Sequence, residues 1–327
     1  MQPYAVRVAD LTVVAPQVDS SPIPLVEGVD LAVGRQEVMG IVGETGSGKT
    51  LTMKAMLGLL PAGTRGTGRI WIEGDTKGFD LAAPESMRAI RGKAIGVVLQ
   101  NPVGMFDPLI KIRHQLVEGV LARKLMTRDQ AFARAHELLE SMGFLDAEAV
   151  LQLYPHQLSG GMSQRAAIAM ALMPHPQVII ADEPTSALDA HLRIEVLEIL
   201  RRLAKEQHSA VLIVSHDLGL VSNFCDSIAV MYAGRVVEHG PARAVLSVPQ
   251  HPNTEALLTC SPALDAEPRA VLRVIGGAPP PPGTWPPGCV FQPRCPLAFD
   301  RCATERPALS THGARSAACH LAFRESA

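Results

Sequence analysis

Residues 5–14 (AVRVADLTVV) alternate apolar and polar positions in the period of a half-buried strand, and residues 25–33 (LVEGVDLAV) repeat it. The unbroken apolar run 38–42 (VMGIV) predicts a short buried strand entering a glycine-rich loop. From Leu51 to Leu60 the period becomes helical, and it stops at Pro61. Strands are predicted at 69–73 and 94–99, and residues 109–153 read as mostly helical, with helical spacing clear over 129–142. A second alternation follows: a helix at 163–173, a strand at 177–181, a helix at 190–206, a strand at 210–214, a helix at 217–225 and a hairpin at 227–239. Strands alternating with helices predict an α/β fold whose largely parallel sheet carries helices on its faces. Residues 278–287 (APPPPGTWPP) exclude a helix or central strand and read as a linker or extended arm. There is no internal repeat.

Composition narrows the class. The formal net charge is −2, so no basic field advertises nucleic acid as a partner, and 4% aromatic residues supply few stacking platforms for bases. A spanning helix needs about 20 apolar residues, and the longest helical apolar stretch, Ala166 to Met173, falls far short. The opening residues lack the pattern of a secretory leader. A cytosolic chain is predicted, associated with membranes only through partners.

Residues 43–50 (GETGSGKT) match the phosphate-loop pattern G-x-x-x-x-G-K-[ST], with a strand before and a helix after. Gly43, Gly46 and Gly48 let the backbone curl so that amides point at phosphate oxygens. Lys49 brings a compact cation to the β- and γ-phosphates, and Thr50 offers a hydroxyl to Mg²⁺. Further on, an apolar strand (VIIADE, 178–183) delivers Asp182 at its C-terminal end as a Mg²⁺ partner. Glu183 follows, placed to orient or deprotonate an attacking water.

Residues 158–162 (LSGGM) put Ser159, Gly160 and Gly161 at a helix N-terminus suited to approaching an anion, a second such site in one chain. Here the chain resembles the ABC ATPases, whose signature is LSGGQ. The resemblance implies a P-loop NTPase domain with a mixed sheet and a helical subdomain, in which the signature meets the γ-phosphate bound on the opposite subunit. It implies that Gln100 (VLQNP) touches Mg²⁺ and links the ATP site to the membrane-facing helices. It also implies that 186–189 (SALD) communicates across the dimer and that His216 (IVSHD) contacts the γ-phosphate. The ATP-binding set carried over is Gly43, Glu44, Thr45, Gly46, Ser47, Gly48, Lys49, Thr50 and Leu51, with Gln100, Ser159, Gly160, Gly161, Asp182 and His216. Thr50, Gln100 and Asp182 serve the magnesium. Catalysis falls to Glu183, His216, Lys49 and Gln100.

Longer stretches, YPHQLSGGM (154–162), IADEP (180–184), MYAG (231–234) and GCVFQPRCP (288–296), resemble the dipeptide and oligopeptide importer branch. That branch implies two membrane permeases, a second and distinct ATPase subunit making a heterodimer, and an extracytoplasmic substrate-binding protein. It places the chain peripherally on the cytoplasmic face of a bacterial inner membrane. The alternatives are a nickel or metal-chelate importer and a soluble ABC ATPase without a transport role. Two features depart from the family: no aromatic stands near Val13, Val14 and Ala15 to stack on adenine, with Tyr4 too early, and Met162 replaces the signature glutamine.

Cys289, Cys295, Cys302 and Cys319 follow the proline-rich tract. Four thiolates can hold zinc or a 4Fe–4S cluster, or remain reduced thiols in a docking tail; the lack of C-x₂-C pairs argues against zinc. The branch resemblance implies an iron–sulfur cluster. Cys225 and Cys260 read as buried thiols. The expected organisation is an ABC ATPase domain over 1–260, its helical subdomain at about 101–160, and a C-terminal extension over 261–327.

Overall fold

A computed structural model of the chain describes residues 4–17, 21–186, 188–260 and 276–323. Ala187 of the 186–189 segment lies outside the described residues, as does the stretch 261–275 where the expected domain boundary falls. Among the described residues the strands are β1 (Val6–Ala15), β2 (Ile23–Val33), β3 (Val38–Val42), β4 (Arg65–Ile72), β5 (Phe79–Asp80) and β6 (Ile95–Val98). They continue with β7 (Val178–Asp182), β8 (Ala210–Ser215), β9 (Ser227–Tyr232), β10 (Arg235–Pro241), β11 (Ser310–His312) and β12 (Arg315–Ala317). The helices are α1 (Lys49–Met56), α2 (Pro84–Ile90), α3 (Ile112–Ala122), α4 (Arg128–Ser141), α5 (Ala147–Gln152) and α6 (Gly160–Leu172). After them come α7 (Ala190–Glu206), α8 (Leu218–Ser222), α9 (Ala242–Ser247), α10 (Pro252–Cys260) and α11 (Asp300–Thr304).

The strands form two sheets. One has the order β2-β1-β4-β5 and is antiparallel throughout; the other runs β11-β12-β10-β9-β3-β8-β7-β6. In the larger sheet β9, β3, β8, β7 and β6 are parallel, while β10, β12 and β11 continue it antiparallel. The central strand β3 is buried on both faces, which is why its sequence is continuously apolar. Its alternate residues serve two different cores. Val38 and Val42 join the core built with α3–α7, whereas Met39 and Ile41 join the core shared with the antiparallel sheet. Met53, Met56 and Leu57, in and just after α1, pack in the second core, so α1 lies between the sheets.

Several boundaries shift from the predicted ones for local reasons. The helix expected over 51–60 ends at Met56, where Gly58 (φ 62°) turns the chain and its N–H reaches Ala55 O. The helix expected from 163 starts at Gly160, because the Ser159 hydroxyl accepts from the Met162 N–H and caps it. The larger sheet is mixed, as the family resemblance implied, where alternation of strands and helices alone predicted a largely parallel one, and it has a separate antiparallel partner. The proline-rich stretch 278–287 holds no helix or strand. The tail returns to the body, where β12 pairs with β10.

Candidate functional site

The C-terminal ends of β3, β7 and β8 open onto one crevice, the place where parallel sheets bind ligands. The loop after β3 sits hard against β9: a Cβ at Gly43 would lie 2.2 Å from Met231 O. Gly48, at φ 101°, precedes α1, and a Cβ there would lie 3.2 Å from Gly234 Cα. The Lys49 amine donates to Gly43 O (2.7 Å), Glu44 O (2.9 Å) and Ser47 Oγ (3.4 Å), so the loop wraps its own lysine. Burial pushes the Lys49 pKa down, opposed by the carboxylates of Glu183, Asp182 and Glu44.

Asp182 is the last residue of β7 and accepts from the Thr50 hydroxyl at 3.3 Å. Burial raises its pKa; the Thr50 bond acts against this and the neighbouring Glu183 adds to it. Two hard oxygens in contact beside a lysine suit a magnesium ion with phosphate ligands. Glu183 takes a left-handed backbone, φ 48°, with its N–H on Val214 O (2.9 Å). Its carboxylate is 2.8 Å from His216 Nδ1, and His216 itself is largely exposed. Val98 of β6 pairs with Ala181, so exposed Gln100 emerges beside Asp182.

Thus Lys49, Thr50, Asp182, Glu183 and His216 share one crevice with Gln100 at its rim. Ser159, Gly160 and Gly161 cap α6 elsewhere: among the described residues no hydrogen bond or ion pair joins them to the phosphate loop. Ser159 and Gly160 are exposed, and a Cβ at Gly160 would meet nothing within 4 Å.

One neighbour of the phosphate loop has no local signal in the sequence. Arg294, just before Cys295, reaches Glu44 inside the phosphate loop, Nη1 lying 2.9 and 3.1 Å from the two carboxylate oxygens.

These features together are those of an ATP-binding cassette, and comparison with known proteins agrees. The family model "ABC transporter" matches residues 26–186, and "Oligopeptide/dipeptide transporter, C-terminal region" matches 237–302. The chain is 40% identical to the oligopeptide transport ATP-binding protein AppD of Bacillus subtilis, over 94% of this chain and 93% of that one. The chain belongs to the ABC transporter ATP-binding proteins. Among solved structures, cbiO1 from Clostridium perfringens, part of the ABC transporter complex cbiONQ, matches at TM-score 0.64 and 28% identity, over 75% of this chain and 92% of that one. The dimeric bacterial ABC transporter cassette MJ0796 matches at TM-score 0.62 and 27% identity, over 73% of this chain and 99% of that one.

Among the described residues of this ABC ATPase no cysteine forms a disulfide. Cys225 is buried, and burial pushes its thiol far up; Cys260 is only half-buried, less than expected. In the tail the Cys289 N–H donates to Cys302 O at 2.8 Å. Burial raises the Cys289 thiol, and its neighbours Cys302, Cys319 and Cys295 raise it further, so the four thiols gather in one region. Burial likewise raises Cys295 and Cys319. Among the described residues, however, no three His, Cys, Asp or Glu side chains stand as metal ligands. The four thiols are neighbours, but the geometry does not assemble the ligand set expected from the sequence.

Proposed function

We propose that this chain is one of two ATPase subunits that power a di- or oligopeptide importer by closing around two ATP molecules. The observation that carries the reading is the Thr50–Asp182 contact beside Lys49, with the Glu183–His216 pair facing the same crevice. In this arrangement Lys49 exchanges its bonds to Gly43 O and Glu44 O for phosphate oxygens. Thr50, Asp182 and Gln100 would hold a magnesium ion, which would neutralise charge on the phosphates. Glu183 orients the attacking water and takes its proton, while His216 holds the Glu183 carboxylate and reaches towards the γ-phosphate. The exposed cap at Ser159, Gly160 and Gly161 serves the partner subunit's ATP, in keeping with its separation from this chain's own loop. Closure favoured by ATP and released by hydrolysis follows from ATP binding the closed pair more tightly.

A 510 Å³ cleft lined by Leu59, Leu99, Met105, Leu116 and Met170 opens between β6 and the helices α3 and α6. Near it Leu99, Val103, Leu109 and Ile110 are exposed, Leu109 at 83%. No described helix is long and apolar enough to cross a membrane. An apolar surface of this kind fits the permeases as docking partners and a peripheral position on the cytoplasmic face. The division into an ATPase domain over 1–260 and an extension over 261–327 is part of the same reading, as is a second ATPase subunit of different sequence. The gathered tail thiols are proposed to take a 4Fe–4S cluster, with zinc as the alternative; no step of hydrolysis runs through them.

The test is reconstitution with the permeases in liposomes. ATP-driven uptake of labelled di- and oligopeptides supports the reading. Uptake of nickel chelates alone would replace the substrate and keep the ATPase. Absence of magnesium-dependent ATP hydrolysis sinks both. For the tail, oxygen-free purification with iron, sulfide and zinc analysis decides among cluster, zinc and bare thiols.

A further inference from the structure

Glu44 divides its two polar groups between different tasks. Its carbonyl accepts from Lys49 Nζ (2.9 Å) and the Ser47 N–H (3.1 Å), while its carboxylate accepts from Arg294. Arg294 stands 250 residues further along, in the turn that presents Cys295, and its side chain is only 4% exposed. The guanidinium has further partners. Nη1 also lies 3.3 Å from the Tyr232 hydroxyl, Nε donates to Gly276 O (2.9 Å), and the group lies over the Tyr232 and Phe291 rings at 5.7 and 5.9 Å. Those rings meet edge to face at 5.2 Å. A second tie lies nearby. The Gly234 N–H donates to Ser47 O (2.9 Å), and Trp285 of the proline-rich arm packs so closely that a Cβ at Gly234 would lie 2.9 Å from its ring.

We propose that Arg294 is a positioning residue of the ATP site: through Glu44 it lets the C-terminal tail set the shape of the phosphate loop. The physical case rests on geometry. A loop of small residues has few side chains to fix it, and Glu44 supplies its one long side chain anchored outside the loop. Rotating the Glu44 peptide moves its carbonyl, and with it the resting place of Lys49. A buried guanidinium fixes that peptide more firmly than an exposed one, because breaking the pair leaves a charge without water. The tail thereby acts on affinity for ATP rather than on the bond-breaking step, which Glu183 serves from β7.

This inference rests on the ATP site proposed above, and its test separates the two. Purified full-length protein is compared with Arg294→Ala, Arg294→Lys, Glu44→Gln and the pairwise double variants, measuring Kd for a fluorescent ATP analogue, KM, kcat and Tm. Arg294→Ala is expected to raise Kd and KM about tenfold, equivalent to roughly 1.4 kcal/mol, with kcat within about twofold of wild type. Arg294→Lys should recover part of that loss, since it keeps the charge but not the guanidinium fork. The double variant with Glu44→Gln should bind no worse than the weaker single variant, because both remove one interaction. If Arg294→Ala does not fold, the cycle of Arg294→Lys and Glu44→Gln carries the same comparison. A lower Tm with unchanged Kd, or effects that add in the double variant, overturns the proposal. Wild-type protein that binds no ATP overturns instead the reading on which it stands.

Discussion

Glu183 holds a backbone conformation that costs a residue other than glycine about 1–3 kcal/mol. Its N–H is tied to Val214 O, and its carbonyl accepts from the Ser186 N–H and hydroxyl, so both sides of the peptide are pinned. The strained turn aims the carboxylate at His216 and keeps it near Lys49. Glu183→Gln preserves size and a hydrogen bond to His216 while removing the proton acceptor. It should lower kcat by about 10²–10⁴-fold and leave ATP-analogue binding intact, as checked by phosphate release alongside equilibrium binding. A variant hydrolysing ATP at the wild-type rate would remove Glu183 from the reaction. At this scale the sequence was legible where chemistry is carried by adjacent residues. GETGSGKT and ADE announce themselves because the loop and the strand end are local. The Glu44–Arg294 pair is not local, and nothing around either residue marks it as half of an ion pair.

Elements were legible wherever one face is apolar or a strand is buried on both sides. The span of β3 and that of α7 were read without error, since continuous burial and a long two-sided helix leave strong patterns. α8 was foreseen within 217–225, but other short helices escaped because capping, rather than periodicity, makes them. α10 begins where the His251 carbonyl accepts from Thr254 and Glu255, and His251 Nδ1 accepts from the Asn253 N–H at 3.0 Å. That bond requires a neutral ring, and burial pushes the His251 pKa down to about 4. Since the folded value lies below the ordinary 6.5, the unfolded chain binds the extra proton first as pH falls. Stability is therefore full above about pH 6.5 and declines from there towards pH 4, at up to about 1.4 kcal/mol per pH unit. His251→Asn keeps an acceptor without the titration, so its urea midpoint should fall less between pH 7 and pH 5 than that of wild type. A second local device is the box at α4, where the Thr127 hydroxyl and the Gln130 side chain each accept from the other's N–H. Thr127→Ala should cost about 1 kcal/mol, read as a lower denaturation midpoint with an unchanged m-value.

At the scale of the whole molecule, alternation of strands and helices foretold the parallel half of the large sheet. The predicted hairpin at 227–239 is the antiparallel pair β9–β10, but β11 and β12 were missed, because they are three residues each and carry no periodicity. Their attachment depends instead on Glu238, which is wholly buried in β10. Its carboxylate accepts from the N–H groups of Gln250 (2.9 Å) and His251 (2.9 Å) and pairs with Arg315 of β12 at 3.3 Å. One side chain thus joins the sheet, the start of α10 and the returning tail. Removing it strands two N–H groups and a guanidinium, whereas a carboxamide keeps an acceptor but loses the charge. Glu238→Ala should destabilise the protein by about 3–5 kcal/mol, and Glu238→Gln by less. The second consequence follows from connectivity. With the latch gone, β12 is left with its short pairing to β10 and a few neighbouring bonds such as Ala318 N–H to Val237 O (2.8 Å) and Phe323 N–H to Gln250 Oε1 (2.8 Å), so limited proteolysis should cut between residues 300 and 320 long before the β3–β7 core is lost. A variant whose tail stays protected, with no fall in its denaturation midpoint, would show that Glu238 is not what fastens the tail to the sheet.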